Sequence, residues 1–259
     1  MTTLRRDRDT VVKTMTADVD PYFAAMPADA AAVRRYAQAL RDAGVTLPDR
    51  LSVTDSPAGP EVRHAWIPGP ALPELPGTRT AAFLEAVAAI ARWTRGLAGT
   101  GARLDANLAN FVIPAGGSIT CIDVLPPLLA DHRPPEAGPW EQVLGGLCFD
   151  PDVSLCALAG YAARHLMRVM EPGPAAAALP GLLRICPGHP APGRLAARWF
   201  HSRLQAAHRV ATGQLRPAQA LELLDVTSVR ALQAAPPGAR EQHAGAALAV
   251  MARALGDQP

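Results

Sequence analysis

The residues best suited by type and spacing to do chemistry lie in one stretch, RLDANLANFVIPAGGSITCIDVLPP, from Arg103 to Pro127. Asp105 and Asn110 stand in a D-x-x-x-x-N spacing, and an apolar triplet, Phe111 to Ile113, follows them. A Pro-Ala-Gly-Gly turn then leads into a second apolar run, Ile119 to Ile122, that delivers Asp123. Two short β-forming runs joined by a glycine-containing turn predict a hairpin. A hairpin returns the chain to the end it started from, so Asn110 and Asp123 should converge, with Asp105 beside them. Three oxygen-bearing side chains in one small volume suit phosphoryl transfer. That reaction needs a carboxylate to orient or deprotonate the attacking hydroxyl, and hard oxygen ligands for magnesium. Asp105 fits the first role, and Asn110 with Asp123 fits the second. The plainer reading is a surface hairpin whose Asp and Asn only shape turns.

A fourth residue is singled out by composition. The chain has 25 basic residues, and all but Lys13 are arginine. A composition that favours arginine so strongly leaves lysine where an ammonium is needed as a compact point charge, as in gripping phosphate. Lys13 sits in the middle of Thr10 to Met15, TVVKTM, whose β-branched residues predict a strand. The competing account is a charge that keeps an edge strand from aggregating.

Taken together, these residues resemble the protein-kinase-like superfamily, in its aminoglycoside phosphotransferase and choline kinase branch. Asp105 and Asn110 match the catalytic loop, the bare Ile122-Asp123 pair matches the metal-binding aspartate, and VVK at Val11 to Lys13 looks like the strand lysine. The resemblance implies an α+β, bilobal protein-kinase-like fold with a minimal β-rich N-lobe over residues 1–68 and a mainly helical C-lobe over 69–259. It also implies ATP and Mg2+ as cofactors: Lys13 on the phosphates, Asn110 and Asp123 on the metal, Asp105 as the catalytic carboxylate. The segment V-R-H-A-W-I-P-G-P is similar to the hinge between lobes, where Trp66 and Ile67 would flank adenine. No glycine precedes Lys13, so the expectation is an N-lobe without the glycine-rich loop, its place left open or filled from elsewhere in the chain or by a partner protein. The implied acceptor is a hydroxyl of a small molecule or of Ser/Thr in a natural-product peptide. The alternative is a catalytically impaired pseudokinase that binds or scaffolds.

The elements that must position these residues are legible from periodicity. A helix is expected over Pro27 to Ala43, capped by Asp29, with Val33, Tyr36, Ala37 and Leu40 on one face. The family's helix carries a glutamate for the strand lysine; this one offers only Asp29 and Asp42. Strands are expected over Leu51 to Thr54 and Glu61 to Ile67. A long helix over Thr80 to Leu97 leads into the Asp105 loop. Helices are expected at Leu155 to Met170, Arg194 to Gly213, Pro217 to Ala235 and Arg240 to Leu255, with Pro/Gly breaks between.

At 259 residues, with 49% apolar and 19% charged residues, the chain has length enough for a large core and does not read as disordered. A net charge of +2 with scattered arginines argues against a nucleic-acid partner. The charged N-terminus and the lack of a long apolar run point to a cytoplasmic protein with no membrane partner. Cys121, Cys148, Cys156 and Cys186 lack metal-ligand spacing and read as small buried hydrophobes. No H-E-x-x-H, G-x-S-x-G or dinucleotide-binding glycine fingerprint is present.

Overall fold

A computed structural model describes residues 2–15, 20–27, 29–57, 59–185 and 194–256. The strand expected around Lys13 forms as β2 (Thr10–Met15), and the residues ahead of it form β1 (Thr2–Asp7). The two make a tight antiparallel hairpin in which Asp7 faces Thr10. Arg8 takes the left-handed conformation at the tip, at φ 51°, where glycine or asparagine is the usual occupant. Lys13 therefore stands on the second strand of a hairpin that has Arg8 and Asp9 instead of glycines at its turn.

One helical turn, α1 (Pro21–Ala24), leads to α2 (Ala30–Asp42), whose first turn is closed by the Asp29 side chain accepting from the Ala32 amide at 2.7 Å. Its buried stripe is the expected one, Val33, Tyr36, Ala37 and Leu40. That stripe packs on β3 (Ser52–Ser56) and β4 (Gly59–Ala65). The four strands form an antiparallel sheet in the order β1-β2-β4-β3. Side chains alternate across a strand, and opposed residues share a face. One face therefore carries Val11, Lys13, Val53, Val62 and His64, all buried.

The predicted long helix forms as α3 (Thr80–Leu97), and the predicted hairpin forms from β5 (Phe111–Val112) and β6 (Thr120–Cys121). Phe111 pairs with Cys121 and Val112 with Thr120. Both strands are shorter than their apolar runs: the Ile113 amide turns away to Pro70, while the Ile122 amide donates to Asn110, one register step beyond the Phe111–Cys121 pair.

Among the described residues that follow, helices dominate: α4 (Pro139–Phe149), α5 (Pro151–Val169), α6 (Pro172–Leu183), α7 (Leu195–Ala211), α8 (Pro217–Val226), α9 (Val229–Ala234) and α10 (Arg240–Leu255). The single helix expected over 217–235 is two, because Ser228 caps a new start by accepting from the Ala231 amide. The helix α6 was not expected; Pro172 in its first turn lacks only an amide proton that would have gone unused there. Inside this helical part Arg203 is 2% exposed and donates through Nη1 to the carbonyls of Leu224 and Thr227, both at 2.6 Å. It thereby satisfies carbonyls that the end of α8 leaves without helical partners. Burial lowers its pKa to about 10, so it stays charged at neutral pH.

The protein is thus α+β, a small antiparallel sheet followed by a mainly helical C-terminal part. Its contacts divide it into two compact units, Met1–Leu75 with Arg92–Pro134, and Pro76–Ala91 with Pro135–Pro259. The loop bearing Asp105 and the hairpin delivering Asp123 group with the sheet in the first unit. Among the described residues no single helix is long and apolar enough to cross a membrane. Cys121, Cys148 and Cys156 are buried and form no disulfide with one another, and Cys186 lies outside the described residues.

Candidate functional site

The loop that leaves α3 is fixed before it reaches Asp105. The Arg103 guanidinium folds back to donate to the carbonyls of Leu97, Thr100 and Ala102 at 3.1, 2.7 and 2.7 Å. Tyr36 of α2 donates its hydroxyl to the Arg103 carbonyl at 2.8 Å. Asp105 then accepts from the Asn107 amide at 2.9 Å, and Asn107 accepts from the Ala109 amide at 3.2 Å, which starts a single helical turn ending at Asn110. Asn107 is therefore a turn former. The turn brings Asn110 round so that its Nδ2 donates to Asp105 Oδ2 at 2.8 Å. The Asn110 carbonyl accepts from the Ile122 amide at 2.8 Å, which sets Asp123 immediately beyond.

Lys13 reaches this corner from the sheet. Its Nζ donates to the Ile122 carbonyl at 2.6 Å and lies 3.3 Å from Asp123 Oδ1. The Lys13 side chain is 5% exposed and that of Asp123 21%, so the pair is buried on the amine side and open on the carboxylate side. The structure thus brings Lys13, Asp105, Asn110 and Asp123 together within one compact unit. The acid on α2 is not the lysine's partner: Asp29 is committed to its helix cap, and Asp42 accepts from Gln38 at 2.8 Å.

The electrostatics follow from burial. Desolvation raises the Asp105 pKa above the ordinary carboxylate range; hydrogen bonds from the Asn107 amide and Asn110 oppose this, and the Asp123 charge adds to it. The Cys121 thiol is pushed up to about 12, mainly by burial, so it is no nucleophile. His64 is lowered, mainly by burial; the Ala65 carbonyl opposes this, Lys13 adds to it and Asp123 opposes it. His64 shares the sheet face of Lys13, two residues beyond Lys13's partner Val62 on β4.

Trp66 and Ile67 are not in contact with this cluster. Lys13 pairs with Val62, and Trp66 lies four residues further on, roughly 13 Å along an extended chain. Trp66 is 36% exposed, its amide donates to the Asp9 carbonyl at 2.7 Å, and the Arg6 guanidinium lies 4.1 Å from its ring centroid. Ile67 is half-buried. The segment after them is stitched to the hairpin: the Ile113 amide donates to the Pro70 carbonyl at 3.2 Å, and Ala71 bridges Val112. Gly69 is required there, since a Cβ would come within 2.4 Å of the Ile113 carbonyl oxygen.

Magnesium is a fair match to the donors present. Asn110 keeps its amide oxygen while Nδ2 serves Asp105, and Asp123 offers the open side of a carboxylate. Two hard oxygen donors suit an ion that takes its other ligands from phosphate and water. Among the described residues no group of three or more His, Cys, Asp or Glu could hold a metal by itself, so the donor set does not suit zinc.

Sequence reasoning missed Arg6, His64 and the Ile122 carbonyl. Of these only His64 had a signal, the alternation in E-V-R-H-A-W that puts it on the face of Val62. No protein-family model matches the chain, and no curated protein matches it.

Proposed function

We propose that this protein is an ATP-dependent phosphotransferase of bilobal, protein-kinase-like architecture that acts on a hydroxyl of a small molecule or of Ser/Thr in a peptide. The observation that carries the reading is the 3.3 Å ion pair between Lys13 and Asp123, in a corner that also holds Asp105 and Asn110. Residues so distant in sequence have no local reason to meet. The order of elements supports the same reading: lysine strand, helix, two strands, hinge segment, long helix, acidic loop, hairpin.

In this proposal Asp105 accepts the proton of the attacking hydroxyl, and Asn110 holds that carboxylate through its Nδ2. The raised pKa of Asp105 makes it a better proton acceptor than an ordinary aspartate. Lys13 carries positive charge toward the phosphates, and Asn110 and Asp123 supply oxygens to magnesium. When bound, that ion neutralises charge on the transferred group. Trp66 offers the ring face not covered by Arg6 to the base, beside Ile67. A cytoplasmic setting belongs to the same proposal, supported by Cys121, Cys148 and Cys156, which are buried thiols outside any disulfide.

One observation favours the second reading, a pseudokinase that binds or scaffolds: Lys13 is already committed to Ile122 and Asp123 and is almost fully buried. Calorimetry with Mg-ATP on wild type and on Asp123→Ala separates the readings from the absence of any nucleotide site. Binding by wild type that is lost in Asp123→Ala is the expected result; no heat from wild type would remove the nucleotide reading. Asp105→Asn should then bind but not transfer, and a wild type that binds without ever transferring would be the pseudokinase.

A further inference from the structure

The sheet face that presents Lys13 also carries a buried imidazole for which neither the fold nor the proposed transfer step has a use. His64 is 4% exposed, and its Nε2 is buried with no hydrogen-bond partner among the described residues. The other ring nitrogen, Nδ1, lies 2.8 Å from the Ala65 carbonyl oxygen. A carbonyl can only accept, so Nδ1 carries the proton and Nε2 of the neutral ring presents a bare lone pair. A buried acceptor left unpaired costs free energy and calls for a partner. What it lacks is a donor.

Register says where that donor would come from. Val62 stands opposite Lys13, His64 opposite Val11, and the Trp66 amide extends the same ladder to Asp9. Alternate residues share a face, so Val62, His64 and Trp66 follow one another at roughly 7 Å steps. His64 is thus midway between the ammonium and the exposed indole. If the phosphates lie at Lys13 and the base at Trp66, the part of a nucleotide between them is the sugar, whose hydroxyls are donors.

We propose that His64 is a specificity-determining residue whose Nε2 accepts a hydrogen bond from a ribose hydroxyl of the bound nucleotide. The proposal rests on the nucleotide reading given above and adds to it a preference for ribonucleotides. A site built to hydrogen-bond a hydroxyl rejects the analogue that lacks it, because the buried acceptor is again left unpaired. The Lys13 charge nearby helps to keep the imidazole neutral and so in its accepting form.

The test is calorimetric titration of Mg-ATP, Mg-2′-deoxyATP and Mg-3′-deoxyATP into wild type, His64→Phe and His64→Gln. Wild type should bind ATP about tenfold tighter than one of the two deoxy analogues. His64→Phe should lose that margin by weakening on ATP alone, and His64→Gln, which restores an acceptor oxygen, should recover part of it. Equal affinity of wild type for all three nucleotides overturns the proposal without any variant having to fold, as does a margin that survives in His64→Phe. No binding of any nucleotide by wild type is a different failure, that of the nucleotide reading itself, and takes this proposal with it.

Discussion

Lys13 and Asp123 are unequal partners, and their substitutions should show it. Asp123→Ala leaves an ammonium in surroundings where it is 5% exposed, whereas Lys13→Met leaves a carboxylate that is 21% exposed and can rehydrate. Orphaning a buried charge costs roughly 3–5 kcal/mol, so Asp123→Ala should lose about 3 kcal/mol. Lys13→Met, which keeps the apolar stem, should lose about 1–2 kcal/mol, nearer the loss of a charged hydrogen bond. Urea midpoints followed by circular dichroism decide it, and the reverse order would mean that the ammonium reaches water. Asp105 gives a prediction of opposite sign. Its pKa is raised, so as pH climbs from the ordinary aspartate value to the folded one, the folded chain holds a proton that the unfolded chain has released. Stability contributed below that window is lost on passing through it. Asp105→Asn should therefore be at least as stable as wild type at about pH 7, and wild type should regain ground on it toward about pH 4, where aspartate normally titrates.

Among the elements, the segment after β4 and the β5–β6 hairpin make a joint that a single methyl group can test. Gly69→Ala would press a Cβ to within 2.4 Å of the Ile113 carbonyl oxygen, which belongs to backbone and cannot turn aside. A forced shift of that kind costs roughly 1–3 kcal/mol. Gly99→Ala, where nothing lies within 4 Å, should be nearly silent. Thermal melts of the two variants give the comparison, and equal melting points would mean that the joint yields. The helix cap is a second test: Asp29→Ala should cost about 1 kcal/mol, since it frees the Ala32 amide.

These elements were legible to different degrees, for physical reasons. The stripe Val33, Tyr36, Ala37, Leu40 and the cap at Asp29 are local signals, and the helix follows them. The run TVVKTM read as a strand for the same reason. The hairpin that carries Lys13 was illegible because Arg8 adopts a left-handed turn that arginine rarely marks. The break at Ser228 was hidden because a serine after ten helical residues reads equally well inside a helix or at the start of the next. Asp105, Asn110 and Asp123 could be paired from hairpin logic. The Lys13 to Ile122 contact crosses 109 positions and has no local signature. His64 was passed over because a lone histidine in a strand is ordinarily a solvated or core residue, and only burial without a partner makes it unusual.

For the molecule as a whole, the two compact units predict that damage stays local. Arg203 closes the end of α8 within the helical unit, so Arg203→Met should expose the amides of α7 and α8 to hydrogen exchange by roughly the 1.5–3 kcal/mol of a charged hydrogen bond. The amides of β2 and β4 should keep their protection. Equal deprotection everywhere would mean that the units unfold as one.

The burial of Lys13 has a practical consequence, because the remaining basic residues are all arginine. Acylating reagents that seek ε-amines have a single address on this chain, and it is shut. Beyond the α-amino terminus, modification by an N-hydroxysuccinimide ester would proceed only as fast as the strand, Ile122 and Asp123 let the amine out. Mass spectrometry of one peptide would then record how often the corner opens, with no competing lysine to blur the count.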